Sequence, residues 1–203
     1  MSDDEAAVSA ARQLLAQIPR AADGLEQRLL LAAAVTTIAS KPPIIVGGTA
    51  EEYWAGGEYH ATDLDLCPQP TEEEERRLSA IGLQTDGRYW SADELPVAVE
   101  FPGSGADIER TTPIRAGGVQ VLMISLEEIY LDRVRRATVG WPREDVSFDG
   151  AFEIALTNFS RIDWNYVKAR IDRVPNEEAA VRKAMSEINR RVRSRARRAV
   201  ANR

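Results

Sequence analysis

Apolar residues recur at helical spacing through Val8, Ala11, Leu14, Leu15 and Ile18, which predicts a helix over residues 4–18 that Pro19 stops. Leu25, Leu29, Leu30, Ala32, Ala33 and Ile38 cover most of the surface of a second helix, 24–39, and that breadth predicts burial. Lys41-Pro42-Pro43 ends it. The period then shortens. Ile44–Val46 reads as a strand, Gly47-Gly48 opens a short helix from Thr49 to Trp54, and Gly56-Gly57 closes that helix. Ala61–Leu66 reads as a second strand, with Asp63 and Asp65 on one face and Leu64 and Leu66 on the other. Pro68 and Pro70 end it. Thr71 with Glu74 is a capping-box pattern for a solvated helix, 72–81. Asp86-Gly87 signals a hairpin. Leu95–Phe101 reads as a strand carrying one acid, Glu100, on the face opposite Val97, Val99 and Phe101. Residues 102–112 read as a loop, and Val119–Ile124 as a further strand.

From Ser125 the pattern is helical. Ser125 with Glu128 repeats the capping-box spacing ahead of a helix from Leu126 to Ala137. Trp141-Pro142 marks a loop, and helices follow near 144–157, 163–172 and 177–200, with Asp163 and Asn176 as caps. The last helix has an apolar seam, Val181, Met185, Ile188, Val192, Ala196 and Ala199, which suits packing on the body or on a second copy. The expected class is α+β. A small mixed sheet of four or five strands, flanked by helices, fills residues 1–124, and an all-helical region fills 125–203.

Composition narrows the setting. The chain has 203 residues, 44% hydrophobic and 29% charged, so it can bury a core. No apolar run approaches the roughly 18 residues of a membrane helix. The first residues are acidic, unlike a secretory signal. Cys67 and His60 are the only cysteine and histidine, so disulfide frameworks and cysteine- or histidine-rich metal sites are excluded. The expectation is a cytoplasmic protein with no membrane association. Residues 182–203 hold nine of the 26 basic residues and one of the 32 acids, so a basic tail follows an acidic body.

The candidate chemistry lies at Gly47-Gly48-Thr49 and at Asp63 and Asp65. Two carboxylates on one strand face repel unless a cation sits between them. Hard oxygen ligands of this kind suit Mg²⁺ (or Mn²⁺), with phosphates supplying further ligands. Glycines at the start of a helix let a ligand approach unpaired N–H groups. Neither GxGxxG nor GxxxxGKS is present, so dinucleotide-binding and P-loop readings find no support.

A strand, a Gly-Gly turn, a helix, a strand bearing Asp-x-Asp and a later strand bearing one acid resemble the nucleotidyltransferase superfamily with the DNA polymerase β-like fold. Over roughly 41–158, and most closely from Ile45 to Leu66 and from Ser125 to Arg133, the chain is similar to AbiEii-type and related uncharacterised nucleotidyltransferases. The resemblance implies metal ligation and catalysis by Asp63, Asp65 and Glu100, with Glu100 also helping to deprotonate the attacking hydroxyl. It implies nucleotide binding by Gly47, Gly48, Thr49 and Arg133, the last standing where the family often has Lys. The implied reaction moves a nucleoside monophosphate from an NTP to a hydroxyl of an RNA, protein or small molecule, as in the enzyme half of a toxin–antitoxin pair. RNA would meet the tail over Arg190–Arg198.

Plainer readings stand beside these. Asp63 and Asp65 on a solvated face, Gly47-Gly48 as a plain turn, Glu100 as an ordinary strand residue and Arg133 paired with Glu128 or Glu144 would leave an inactive binding module. The tail would then only neutralise the acidic body, or act alone in binding nucleic acid.

Overall fold

The computed structural model describes residues 2–57, 60–103, 105, 107–138 and 143–202, with the backbone alone at 143 and 144. The loop expected at Trp141-Pro142 and the side chain of Glu144 lie outside the described residues. Helix α1 (Asp3–Leu15) starts from Ser2, whose hydroxyl accepts from Glu5 N while its own N–H donates to the Glu5 carboxylate. The predicted continuation to residue 18 is instead a 3₁₀ turn, Ile18–Arg20, with Pro19 inside it. Helix α2 (Gly24–Ile38) is capped by Asp23 and buries Leu30 to Val35 and Ile38, as its broad apolar surface predicts.

Strand β1 (Ile44–Val46) runs into α3 (Gly47–Ala55), and β2 (Leu64–Cys67) returns antiparallel to β1. Helix α4 (Glu72–Ala80) begins with the expected capping box at Thr71 and Glu74. The hairpin β3 (Gln84–Thr85) and β4 (Tyr89–Ser91) turns through Asp86-Gly87, and Asp86 accepts from the N–H groups of Arg88 and Tyr89. The run expected as one strand over 95–101 keeps only β5 (Val99–Glu100) in the ladder.

A second hairpin was hidden in the sequence. β6 (Thr111–Ala116) begins inside the expected loop, and Gly117-Gly118, both at positive φ, turn it into β7 (Val119–Ile124). The full order is β3-β4-β5-β2-β1-β7-β6, a seven-stranded mixed sheet in an α+β fold. Pro113 breaks the strand pattern of β6, and β6 is an edge strand, where a missing N–H is tolerated. Ile45, Leu64, Leu66, Val99, Val121 and Met123 are buried on the sheet, and α2 packs against it.

The chain divides into two units: Met1–Glu52 with His60–Ile124, and Tyr53–Tyr59 with Ser125–Arg203. Helix α3 begins in the first and ends in the second. The second unit contains α5 (Leu126–Arg136), α6 (Arg143–Asn158), α7 (Trp164–Asp172) and α8 (Ala179–Ala201). Ser125 caps α5, but the reciprocal half of the expected capping box is not made: the Glu128 carboxylate accepts from Tyr166 and Arg170 instead. Asp163 caps α7. Asn176 opens a 3₁₀ turn rather than capping α8, and its side chain accepts from Arg182 at 3.1 Å. The apolar seam of α8 packs within its own unit, with Met185, Ile188, Val192 and Ala196 buried and α6 alongside. Among the described residues, no helix is long and apolar enough to cross a membrane.

Candidate metal centre on the acidic strands

Leucines set the face of β2. Leu64 and Leu66 are fully buried, so Asp65 must point to the other side of the sheet. Asp63 sits one residue before the strand rather than within it. Strand β5 pairs in parallel with β2, with Asp65 opposite Glu100. Val99 is fully buried, which turns Glu100 to the same side as Asp65. Asp63, Asp65 and Glu100 each offer an oxygen, and those atoms all lie within 4.8 Å of one another. Magnesium holds oxygens at about 2.0–2.1 Å in an octahedron, so opposite ligands stand ~4.2 Å apart. Oxygens this close together are near that spacing, and the donors are all hard oxygens, so the residues fit a divalent cation.

The Gly-Gly pair has a structural reason that the sequence did not show. Gly47 sits at φ +58°, and a Cβ there would stand 1.8 Å from Asp65 Oδ2. The Gly48 N–H donates to the same oxygen at 3.3 Å. What approaches the glycines is therefore the Asp65 carboxylate, held at the positive end of α3. Thr49 is fully buried, and its hydroxyl donates to the Asp63 carbonyl at 3.0 Å, which positions the start of the acidic strand.

Below the site lies a buried clamp that sequence reading missed. Arg28 and Glu52 pair at 2.6 Å, both almost fully buried. Arg28 also donates to the Ala61 carbonyl, and Glu52 accepts from Ala61 N at 2.8 Å. Both bonds fix the backbone two residues before Asp63. Nothing in the periodicity of α2 marks Arg28, because a charged residue in an apolar helix is read as its solvent face.

Arg88, also missed, makes a two-pronged contact with Glu100, at 3.2 Å for each prong. Its side chain is 67% exposed, and that of Glu100 only 18%. The hydrogen bond and charge of Glu100, with a lesser contribution from Asp63, raise the Arg88 pKa. Desolvation raises the Tyr89 phenol, and the charges of Glu100 and Asp63 add to this against the opposing pull of Arg88. Cys67 is buried, and a Cβ on Gly105 would stand 2.6 Å from its sulfur. Burial first, then the Asp107 and Asp65 charges, push its thiol up to about 11, so it is an inert packing residue.

Arg133 belongs to the second unit, and its guanidinium is buried there against Asp132 at 2.8 Å, a partner the sequence reading did not name. His60 is exposed. Trp54, Trp90 and Trp164 are packing residues: Trp54 and Trp90 are buried, and Trp164 stacks edge-on with Tyr130. The arginines of α8 lie largely on their own unit. Arg191, Arg193 and Arg195 sit over Phe148, Trp164 and Phe152, and Arg190 pairs with Glu187. No protein-family model matches the chain, and no curated protein or solved structure matches it with statistical significance.

Proposed function

We propose that the chain is a cytoplasmic nucleotidyltransferase that uses Mg²⁺ or Mn²⁺ to move a nucleoside monophosphate from an NTP to a hydroxyl acceptor. The observation that carries this reading is the convergence of Asp63, Asp65 and Glu100 within 4.8 Å, beside a glycine that has room for Asp65 and for nothing larger at its own Cα. Two neighbouring strands, β2 with the residue before it and β5, bring three like charges together. That arrangement is costly without a cation between them. The order of elements, a strand, a Gly-Gly helix start, an Asp-x-Asp strand and an acid on the neighbouring strand, supports membership in the nucleotidyltransferase superfamily and a kinship with its AbiEii-type members.

Asp63, Asp65 and Glu100 would hold the cation. When bound, it supplies charge neutralisation on the triphosphate and makes an acceptor hydroxyl easier to deprotonate. The chain's own groups then divide the remaining work. Gly48 N–H and the α3 terminus hold Asp65 in place. Thr49 and the Arg28–Glu52 clamp hold the backbone at Asp63 and Ala61. Glu100 is the carboxylate placed to accept the hydroxyl proton. The acceptor class is a hydroxyl of RNA, protein or a small molecule.

Incubating the chain with labelled NTPs, Mg²⁺ and total RNA tests the reaction. Incorporation into an acceptor is expected, with a loss of at least about 100-fold in Asp63→Ala, because removing one ligand of a metal site removes most of its function. No incorporation by the wild type, or equal incorporation by Asp63→Ala, would count against it.

One observation favours a second reading, an inactive nucleotide- or protein-binding module. Glu100 already has a cationic partner in Arg88. If that pair is permanent, the third ligand is lost and the acids form a structural cluster. A Mn²⁺ titration that shows no site, alone or with a non-hydrolysable NTP, would select this reading.

A further inference from the structure

The Arg88–Glu100 pair joins two residues of very different freedom. Glu100 is fixed in the sheet between β2 and β4, and its side chain is 18% exposed. Arg88 follows the Asp86-Gly87 turn at the tip of a short hairpin, and its side chain is 67% exposed. An exposed ion pair of this kind is worth little and is easily exchanged. Its fork nevertheless matches a carboxylate in both prongs, and the same fork matches a phosphate. Three of the four groups expected to hold phosphate have other partners: Thr49 the Asp63 carbonyl, Gly48 the Asp65 carboxylate, and Arg133 the Asp132 carboxylate in the second unit.

We infer that Arg88 is an exchangeable counter-ion that holds Glu100 in the metal-free protein and moves to the triphosphate when a cation takes Glu100. This rests on the reading of Asp63, Asp65 and Glu100 as a metal site. The charge count supports the exchange. A divalent cation arriving among three carboxylates makes a second cationic contact at Glu100 redundant and repels the guanidinium. The triphosphate arriving with the cation restores the negative charge that the guanidinium needs. Arg88 is attached to the hairpin by a long side chain, so the exchange requires rotation of that side chain and no change in the sheet. Tyr89 stays at the site in either state, because it belongs to β4 and pairs with Glu100 through the backbone.

The exchange makes opposite predictions for cation alone and cation with triphosphate. In Arg88→Ala, Mn²⁺ no longer competes with the guanidinium, while the Mn²⁺–triphosphate complex loses a charge-assisted contact. Titrations of the full chain with Mn²⁺, and separately with the preformed Mn²⁺–tripolyphosphate complex, read both effects by paramagnetic resonance or calorimetry. Tripolyphosphate carries no base, so base preference does not enter. The expected result for Arg88→Ala is about threefold or more tighter binding of Mn²⁺ and about tenfold weaker binding of the complex. Arg88→Lys, which keeps the charge without the fork, falls between. Tighter Mn²⁺ binding without weaker binding of the complex would overturn the transfer to phosphate. Equal binding in both titrations, or weaker binding in both, would overturn the exchange while leaving the metal site standing. Absence of any Mn²⁺ site in both wild type and Arg88→Ala would remove the metal reading and this inference with it. An unchanged denaturation midpoint checks that the variant is folded.

Discussion

At the scale of single residues, the site depends on one position where no side chain fits. Gly47 combines a left-handed backbone with a 1.8 Å conflict between any Cβ and Asp65 Oδ2. Gly47→Ala therefore brings two costs. The backbone strain is about 1–2 kcal/mol, and Asp65 must leave its place against the α3 terminus. The expected outcome is a modest fall in the urea midpoint, together with loss of Mn²⁺ binding by about tenfold or more, since one of three ligands is displaced. If Gly47→Ala bound Mn²⁺ as wild type does, the fit between glycine and carboxylate would not matter to the site. The acids themselves were legible in the sequence, because period-two alternation with Leu64, Leu66 and Val99 fixes their face. Arg88 and Arg28 were not. A hairpin arginine looks like surface, and an arginine in an apolar helix shows its buried partners Glu52 and Ala61 only in three dimensions.

At the scale of elements, local caps and turns were the most readable features and edge strands the least. Thr71 and Glu74 form the box that their spacing predicts, and Asp86-Gly87 makes its hairpin. Ser125 and Glu128 have the same spacing, but Glu128 is drawn to Tyr166 and Arg170, a long-range competition that no local pattern reveals. Strand β6 escaped because Pro113 reads as a breaker, and only its place at the sheet edge makes the proline harmless. The α4 start carries a pH prediction. Burial pushes the Glu74 carboxyl up, but bonds from the Thr71 and Ser40 N–H groups and the Thr71 hydroxyl outweigh it and hold the group below its ordinary value. A carboxyl lowered in the folded state stabilises the fold above its unfolded pKa, and the contribution disappears as pH falls through the folded one. Glu74→Ala should cost about 1 kcal/mol at neutral pH, and the gap from wild type should narrow in urea titrations as the pH falls below the ordinary carboxylate range. A gap that stays constant with pH would assign the cost to helix propensity alone.

At the scale of the whole molecule, the α+β class and the change of character near residue 124 were visible in the sequence as a switch from short, alternating runs to long helical ones. The assignment of Tyr53–Tyr59 to the second unit was not, because it depends on contacts of high sequence separation. The Asn158 side chain donates to the Trp54 carbonyl at 2.6 Å, and Thr157 donates to that of Ala55. The seam of α8 was open between two partners in the sequence, and it packs within its own unit because α6 supplies the apolar and aromatic surface for it. The basic tail is thereby a packed helix with arginines on its aromatic neighbours. The sequence pattern of charge alone could not distinguish that from a nucleic-acid arm.

The central claim is that Asp63, Asp65 and Glu100 hold one divalent cation together with a nucleotide triphosphate. Crystals of the full chain soaked with Mn²⁺ and a non-hydrolysable NTP, measured for anomalous scattering from manganese, test it most directly. The account predicts a manganese peak in contact with all three carboxylates, with triphosphate density beside it and Arg88 turned from Glu100 onto the phosphates. A map with no manganese among the three acids, and Arg88 still on Glu100, would contradict it.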